Sequence, residues 1–453
     1  MKLSALVIGK SHCIASKLRS SSNMGELYVI NDFVNPGLSE VARTILANPN
    51  DPVAVAKQAA SLHHRPDFAV IGSEEPLAKG VVDELAKLGI PSLGPNQRLA
   101  KLESSKSFTR ELIDKYRIPG NPEFKVFRTE RGLEEYLKSK GEFVVKPDGL
   151  TGGKGVKVFG DHFSTVSEGL DYCRELFAAG QPAVVIEEKL DGEEFSFQSF
   201  FDGEHIAHMI PVQDHKRAFE DDSGPNTGGM GSYSCPNHLL PFLTRDHIRE
   251  AEVINERVGK ALFEETGEKY KGILYGGFMR TKAGIRIIEY NARFGDPEVM
   301  NVLSLLETDF VEICKSIVEG TLDRVDVRFR HQASVCKYLV PEGYPSKRRS
   351  VIGSEVDFAR VLKSMESDPR LHVFYGAVDS SKGTVRLTDS RAAAVVGVAD
   401  TLHEAERVAE TAACQIGGRV YHRRDIGTAK LIQKRIDHME RILGTKTLER
   451  RRA

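Results

Sequence analysis

A chain of 453 residues is too long for one compact core, so two to four domains are expected. With 40% hydrophobic and 28% charged residues and a formal net charge of −1, it has no overall field that would hold nucleic acid or an anionic membrane. Its cysteines, at 13, 173, 235, 314, 336 and 414, form no CxxC pair and no zinc-site spacing, and no apolar run is long enough to span a bilayer. Free thiols in a reducing compartment and a cytoplasmic location are therefore expected.

The first stretch, "MKLSALVIGKSHC", has too short an apolar core for a signal peptide and reads as a strand. Over 1–104, "ALVIG" (5–9) and "DFAVIG" (67–72) read as buried strands, while 51–64 and 75–89 have helical spacing. That alternation predicts a Rossmann-like, doubly wound parallel sheet. A helix over 105–120 runs to a hinge at "IPGNP". From 123 to 215 strands dominate ("EFVVK", "VKVF", "AVVIEEKL", "EEFSFQSFF", "HIAHMIPV"), interrupted by a helical pattern over 164–180. A long helix follows at 245–265, then a hairpin, "GILYGGFMR–TKAG–IRIIEYNARF". A β-rich piece over 332–430 opens with "ASVCKYLVP", and the end is an amphipathic basic helix. The predicted fold class is α/β and α+β multidomain. Its parts are a substrate domain (1–104), a central domain (105–331) with a flap subdomain (123–193), a C-terminal domain (332–430) and a tail (431–453).

Chemistry concentrates in a few stretches. In "GIRIIEYNARFGDPE" (284–298), strand alternation puts Glu289, Asn291 and Arg293 on one face and Ile288, Tyr290 and Ala292 on the other. A carboxylate beside an amide oxygen suits a hard divalent cation, and a guanidinium beyond them suits phosphate. A solvated strand face is the alternative. "EFVVKPDGLTGGKGVKVF" (142–159) holds Gly149, Gly152, Gly153, Lys154 and Gly155 between two strands. A Walker A or dinucleotide loop would need a helix after it, so this reads as a hairpin flap whose backbone N–H groups cover phosphates. Lys146, closing the first strand, places its charge against the α- or β-phosphate. In "VVIEEKLDGEEFSF" (184–197), the turn after Glu187 and Glu188 can offer the Leu190 N–H and the Glu188 carbonyl to an adenine edge, with Glu194 reaching ribose hydroxyls. Acidic turns are common, and this one gains weight from following the flap. "VQDHKRAFEDDSGPNTGGMGSYS" (212–234) sets Asp214, Lys216 and Arg217 ahead of a small-residue loop that brings backbone close to a ligand. A disordered surface loop remains the alternative for 219–224.

In this order the motifs resemble the ATP-grasp ligases, most closely the phosphoribosylamine–glycine ligase (glycinamide ribonucleotide synthetase) family, over roughly residues 1–430. The carriers are "GLTGGKGV", "EEKLDGEEFSF", "QDHKR", "GPNTGGMGSYS", "IEYNARFGDPE" and "RRDIG" (423–427). The resemblance implies ATP-dependent joining of glycine to 5-phosphoribosylamine through a glycyl phosphate, in de novo purine biosynthesis. It implies Mg²⁺ or Mn²⁺ on Glu289 and Asn291, and ATP on Lys106, Lys146, the 149–155 flap, 187–190 and Glu194. Arg293, Lys146, Asp214 and Asp296 form the implied catalytic set. Gly9, Glu74, Lys216, Arg217, Asn226, Thr227, Gly228, Gly229 and Pro297 form the substrate set. The expected partners are these small molecules, with no nucleic acid or membrane, for a monomer or weak homodimer. Alternatives are a relative with a different amine substrate, or a non-catalytic nucleotide-binding homologue.

The sequence departs from the family in two places. The first glycine turn, "GKSHC", is about three residues shorter than the family's G-S-G-G-R-E-H-A, which leaves Gly9, Lys10, His12 and the next helix's N-terminus near a substrate phosphate. The basic helix after 428 extends past the family's usual end. It reads as a solvated or docking helix whose removal leaves activity in place.

Overall fold

A computed structural model describes residues 2–9, 11–152, 155–346 and 349–444. The N-terminal strands β1 (Leu3–Ile8), β2 (Met24–Asn31), β3 (Arg43–Leu46), β4 (Phe68–Ile71) and β5 (Ser92–Leu93) form an all-parallel sheet in the order β3-β2-β1-β4-β5. β4 is buried throughout, β1 from Ala5 to Ile8 and β2 from Leu27 to Asn31, the apolar runs expected of a parallel sheet covered on both faces. Strand order reverses between β1 and β4, and in such sheets the crevice at the carboxyl ends of those two strands is where ligands bind. The expected single helix over 75–89 is instead two, Glu74–Ala78 and Val81–Lys87. Gly80 sits between them at φ 86°, which no continuing right-handed helix tolerates. The consequence is that Glu74 begins a helix at the end of β4, in the crevice.

The flap is a four-stranded antiparallel sheet in the order Phe124–Phe127, Val184–Glu188, Phe143–Pro147, Lys157–Val158. With the helix Val166–Ala178 it encloses a small core of its own, including Phe143, Val145, Phe163 and Ile186, separate from the main core. The central sheet runs Ile206–His208, Gly192–Phe201, Gly272–Thr281, Gly284–Asn291, all antiparallel. The helix Arg245–Thr266 backs it. On that helix Asn255 donates to the Phe197 carbonyl (3.1 Å) and accepts from the Tyr290 hydroxyl (2.8 Å), which fixes Tyr290 inward.

The third sheet crosses the expected boundary at 331. Its order is Gln213–Asp214, Gly231–Ser234, Ala333–Pro341, Ala393–Ala399, Leu371–Tyr375. The stretch read as a central-domain loop is thus built onto the C-terminal sheet. That piece also carries two helices, Ala359–Ser367 and Leu402–Ala413, so it is α+β and less purely β than expected. N-terminal, central and C-terminal residues share one continuous core.

Candidate active site

The flap, the central sheet, the 213–229 segment and the start of the helix Glu298–Leu305 enclose a cavity of about 500 Å³. Glu289, Asn291 and Arg293 all line it; Ala292 is buried in the core, while Tyr290, buried and expected on the opposite face, also borders the cavity. Ile288 departs from the expected alternation. A register shift between Gly277/Phe278 and the facing strand makes 288 a bulge, and this residue lines the cavity too. Its carbonyl accepts from Lys146 Nζ (2.8 Å) and Arg110 Nη2 (2.7 Å). The strand ends at Asn291, so Arg293 leaves from the turn that follows.

Lys146 is buried and held by Glu187 at 2.8 Å. Glu187 also accepts two hydrogen bonds from Arg110, from Nε (2.6 Å) and Nη2 (2.9 Å). Glu187, expected at the nucleoside, therefore spends its carboxylate aligning two cations. Burial drives the Lys146 pKa down, and the Glu187 charge opposes that. Glu188 turns away from the cavity: it accepts from the Glu123 N–H (2.9 Å) and pairs with Arg286. The cavity wall beyond the turn is Gly192, Glu193 and Glu194, with Leu190 outside it.

Lys216 stands between Glu194 (3.4 Å) and Glu289 (3.7 Å), and Glu194 foremost raises its pKa. Burial pushes the Glu289 carboxyl up, but Lys216, Lys146, Lys106 and Arg293 together outweigh it and hold the group ionised. Asn291 turns its amide nitrogen to Glu103 Oε1 (3.1 Å) and the Tyr290 carbonyl (3.2 Å), leaving its oxygen on the opposite side. Arg293 is not a free fork: it pairs with Glu103 (3.1 Å) and, across the domain crevice, Glu74 (3.4 Å). Arg293 foremost depresses the Glu74 pKa.

At the other end, burial and then the neighbouring Glu298 raise the Asp214 pKa well above the carboxylate range. Glu298 is buried and accepts from the Tyr275 hydroxyl (2.8 Å). Thr227 closes the glycine loop: its hydroxyl donates to the Lys216 carbonyl (2.8 Å) and accepts from the Gly229 N–H (3.0 Å). Arg391 staples this loop to Asp296, donating to the carbonyls of Gly228 (2.6 Å) and Gly229 (3.0 Å) and to Asp296 Oδ2 (2.7 Å). Gly229 has φ 106°, and a Cβ there would lie 2.5 Å from Pro297 Cδ and 2.8 Å from Asp214 Oδ1. Gly229→Ala is expected to lower kcat/KM at least tenfold, about 1.4 kcal/mol, and to lower the thermal midpoint as well, because the left-handed backbone and the two close contacts strain the fold. Steady-state kinetics beside a melting curve checks this.

The remaining predicted residues are placed as follows. Lys106 donates to the Gly149 carbonyl (2.6 Å), tying the flap root to the helix Lys106–Lys115. Gly152 lines the cavity and Gly155 packs on Pro147 and Thr151. Gly153, Lys154 and Lys10 lie outside the described residues. Arg217 pairs with Asp161 of the flap (2.5 Å) and stands opposite Asn226 in a short hairpin that takes in 219–224. Gly9 ends β1 at φ 96° beside Ser73 in the crevice, outside the cavity itself. His12 is no phosphate ligand: its buried ring accepts from the Tyr375 N–H (3.0 Å), and burial lowers its pKa to about 4.

Sequence reasoning missed Glu103, Arg110 and Arg391. Each stands in an ordinary-looking context ("AKLESSK", "FTRELI", "DSRAAAVV") with no local motif, and acquires its role only through contacts distant in the chain.

Comparison with known proteins agrees with this architecture. Profiles of phosphoribosylglycinamide synthetase match in three parts: the N domain at 4–103, the ATP-grasp (A) domain at 104–299 and the C domain at 334–429. The chain is 44% identical over 436 residues to the phosphoribosylamine–glycine ligase of Methanocella arvoryzae, covering 96% of this chain and 98% of that one. It is 46% identical over 448 residues to that of Methanobrevibacter smithii, covering 97% and 100%. The crystal structure of phosphoribosylamine–glycine ligase from Thermotoga maritima superposes with a TM-score of 0.78 at 25% identity, covering 93% of this chain and 99% of that one. A biotin carboxylase from Campylobacter jejuni shares the fold alone, with a TM-score of 0.73 at 13% identity over 98% and 99% of the two chains. With all three domain profiles matched in order and relatives above 40% identity over nearly the whole length, the chain belongs to the phosphoribosylglycinamide synthetase family of ATP-grasp ligases.

Proposed function

We propose that the cavity performs the ATP-dependent ligation of glycine to 5-phosphoribosylamine, giving glycinamide ribonucleotide, ADP and phosphate in purine biosynthesis. The observation that carries this reading is the convergence on one cavity of three lysines, at 106, 146 and 216, the flap, and the oxygen donors Glu289 and Asn291. Glu74, from the N-terminal crevice, reaches the same space and links the two ligand regions.

In the first step a glycine carboxylate oxygen attacks the γ-phosphorus, and the bond to the ADP oxygen breaks. In the second, the amine nitrogen of phosphoribosylamine attacks the glycyl carbonyl carbon, loses a proton, and expels phosphate. Such chemistry needs alignment and charge neutralisation more than a protein nucleophile. Lys106 and Lys146 hold phosphate oxygens under the flap, and Glu194 takes ribose hydroxyls. Arg293 retains its charge because Glu103 and Glu74 offset its burial, and it supplies that charge to the transferred phosphoryl group. Asp214 and Glu298 crowd each other; a cation between them relieves the repulsion, and the glycine ammonium is one the reaction provides. Asp296 and Arg391 fix the 226–229 loop around that end. Gly9 and the crevice at β1 and β4 take the phosphoribosyl group.

The donor set suits a hard divalent cation: an ionised carboxylate, Glu289, and the amide oxygen of Asn291. Mg²⁺ or Mn²⁺ held there would neutralise charge on the phosphate chain. A monomer or weak homodimer in the cytoplasm is our further reading. Five of the six free cysteines are buried, which fits a reducing compartment, and no described helix is long and apolar enough to cross a membrane.

A coupled ADP-release assay with ATP, glycine and freshly generated phosphoribosylamine tests the assignment. ADP release is expected to require all three. Release without phosphoribosylamine at the full rate, or with another amine in preference, would overturn the substrate assignment.

A further inference from the structure

The family profiles stop at residue 429, and the helix Ala429–Leu443 begins there. It does not project into solvent. Leu431 and Met439 are buried on its inner face, and the helix lies along the strand Gly192–Phe201. Two of its polar residues, Arg435 and His438, line the cavity beside Gly192, Glu193 and Glu194.

The contacts are specific. His438 bonds through Nδ1 to Glu193 Oε1 (2.7 Å) and pairs through Nε2 with Asp191 Oδ1 (3.2 Å), so it grips both sides of Gly192. Arg435 pairs with Asp222 (2.6 Å) and Glu193 (3.4 Å). Asp222 is also held by the fully buried Arg423 (3.1 Å), and Lys434 donates to the Asp221 carbonyl (2.8 Å). Glu193 is 3% exposed and, among the described residues, takes its side-chain partners from this helix apart from Gln213 Nε2 at 3.3 Å. Removing the helix takes away the two side chains that fix Glu193 and uncovers its carboxylate, so this end of the strand loses the contacts that hold its position.

Along the strand both residues border the cavity, with the buried Glu193 held by the helix and the exposed Glu194 open to the cavity beside it. The helix therefore sets the position of the segment that meets the nucleoside. We propose that the C-terminal helix is a wall of the nucleotide site, with His438 and Arg435 as positioning residues that fix the 192–194 stretch for the nucleoside of ATP. This rests on the reading of the cavity as an ATP site. It reverses the expectation that the chain works unchanged without its tail.

The test uses the full chain, His438→Ala, His438→Asn and a chain ending at Thr428, with Gln433→Ala on the exposed face as control. For His438→Ala the KM for ATP and the calorimetric Kd for ADP are expected to rise about fivefold, with the KM for glycine unchanged. The shortened chain should show at least a tenfold rise. His438→Asn, whose amide nitrogen falls near the Nδ1 position, should recover most of the loss, and Gln433→Ala should match the parent. Unchanged nucleotide affinity in His438→Ala, or equal losses for ATP and glycine, would overturn the proposal even if the shortened chain fails to fold. A full-length chain that binds no ADP would instead refute the ATP-site reading beneath it.

Discussion

Glu289→Gln is expected to reduce kcat by about a thousandfold or more while the protein melts within a few degrees of the parent. The substitution keeps the shape and removes one negative charge from a site where Lys106, Lys146, Lys216 and Arg293 hold the carboxylate ionised against its burial. Charge neutralisation by a divalent ion contributes several kcal/mol to a transition state of this kind, and each 1.4 kcal/mol is about tenfold in rate. The surplus of cations left behind still attracts triphosphate, so ATP affinity without added metal should hold or rise. Turnover at saturating Mg²⁺ or Mn²⁺, with calorimetric ATP binding in chelator, separates the two effects. Ordinary turnover in the variant would remove Glu289 from the metal site.

A second large effect is expected in stability. Glu187→Gln leaves Arg110 and Lys146 facing each other with side-chain exposures of 3% and 8% and no carboxylate between them. Removing one partner from a buried ionic cluster typically costs about 3–5 kcal/mol, mostly from the uncompensated charge left behind. Urea unfolding should show that loss. Adding Lys146→Met to Glu187→Gln should return part of it, because the second cation is then gone. A change under about 1 kcal/mol would mean the cluster is better hydrated than its burial suggests.

The parts of this molecule legible in sequence are those in which one short stretch carries both its backbone signal and its chemistry. The strand 284–291 with its carboxylate and amide, the glycine-rich flap, and the alternating β/α pattern before residue 104 are of that kind. Two local features escaped because the deciding geometry is a single residue: the bulge at Ile288 and the left-handed Gly80 that divides one apparent helix. The other omissions are non-local. Arg391 reaches the glycine loop 162 and 163 residues away in the chain, and Glu103 meets Ala292 189 residues away. No periodicity encodes such pairings. The tail helix was legible as an amphipathic basic helix, but its partners Asp191, Glu193 and Asp222 stand in acidic turns that look solvated until the helix covers them.

The sheet that joins Gly231–Ser234 to Ala333–Pro341 bears on how this enzyme can be taken apart. A fragment ending near 331 would keep the flap and all three lysines of the cavity, yet leave the hydrogen-bonding edge of 231–234 bare and the 226–229 loop without its arginine staple. A bare edge of that sort invites pairing with other chains. The molecule thus reads as modules along its sequence but is stitched across them by a shared sheet, and shuffling its central segment into new contexts requires carrying the partner strand along.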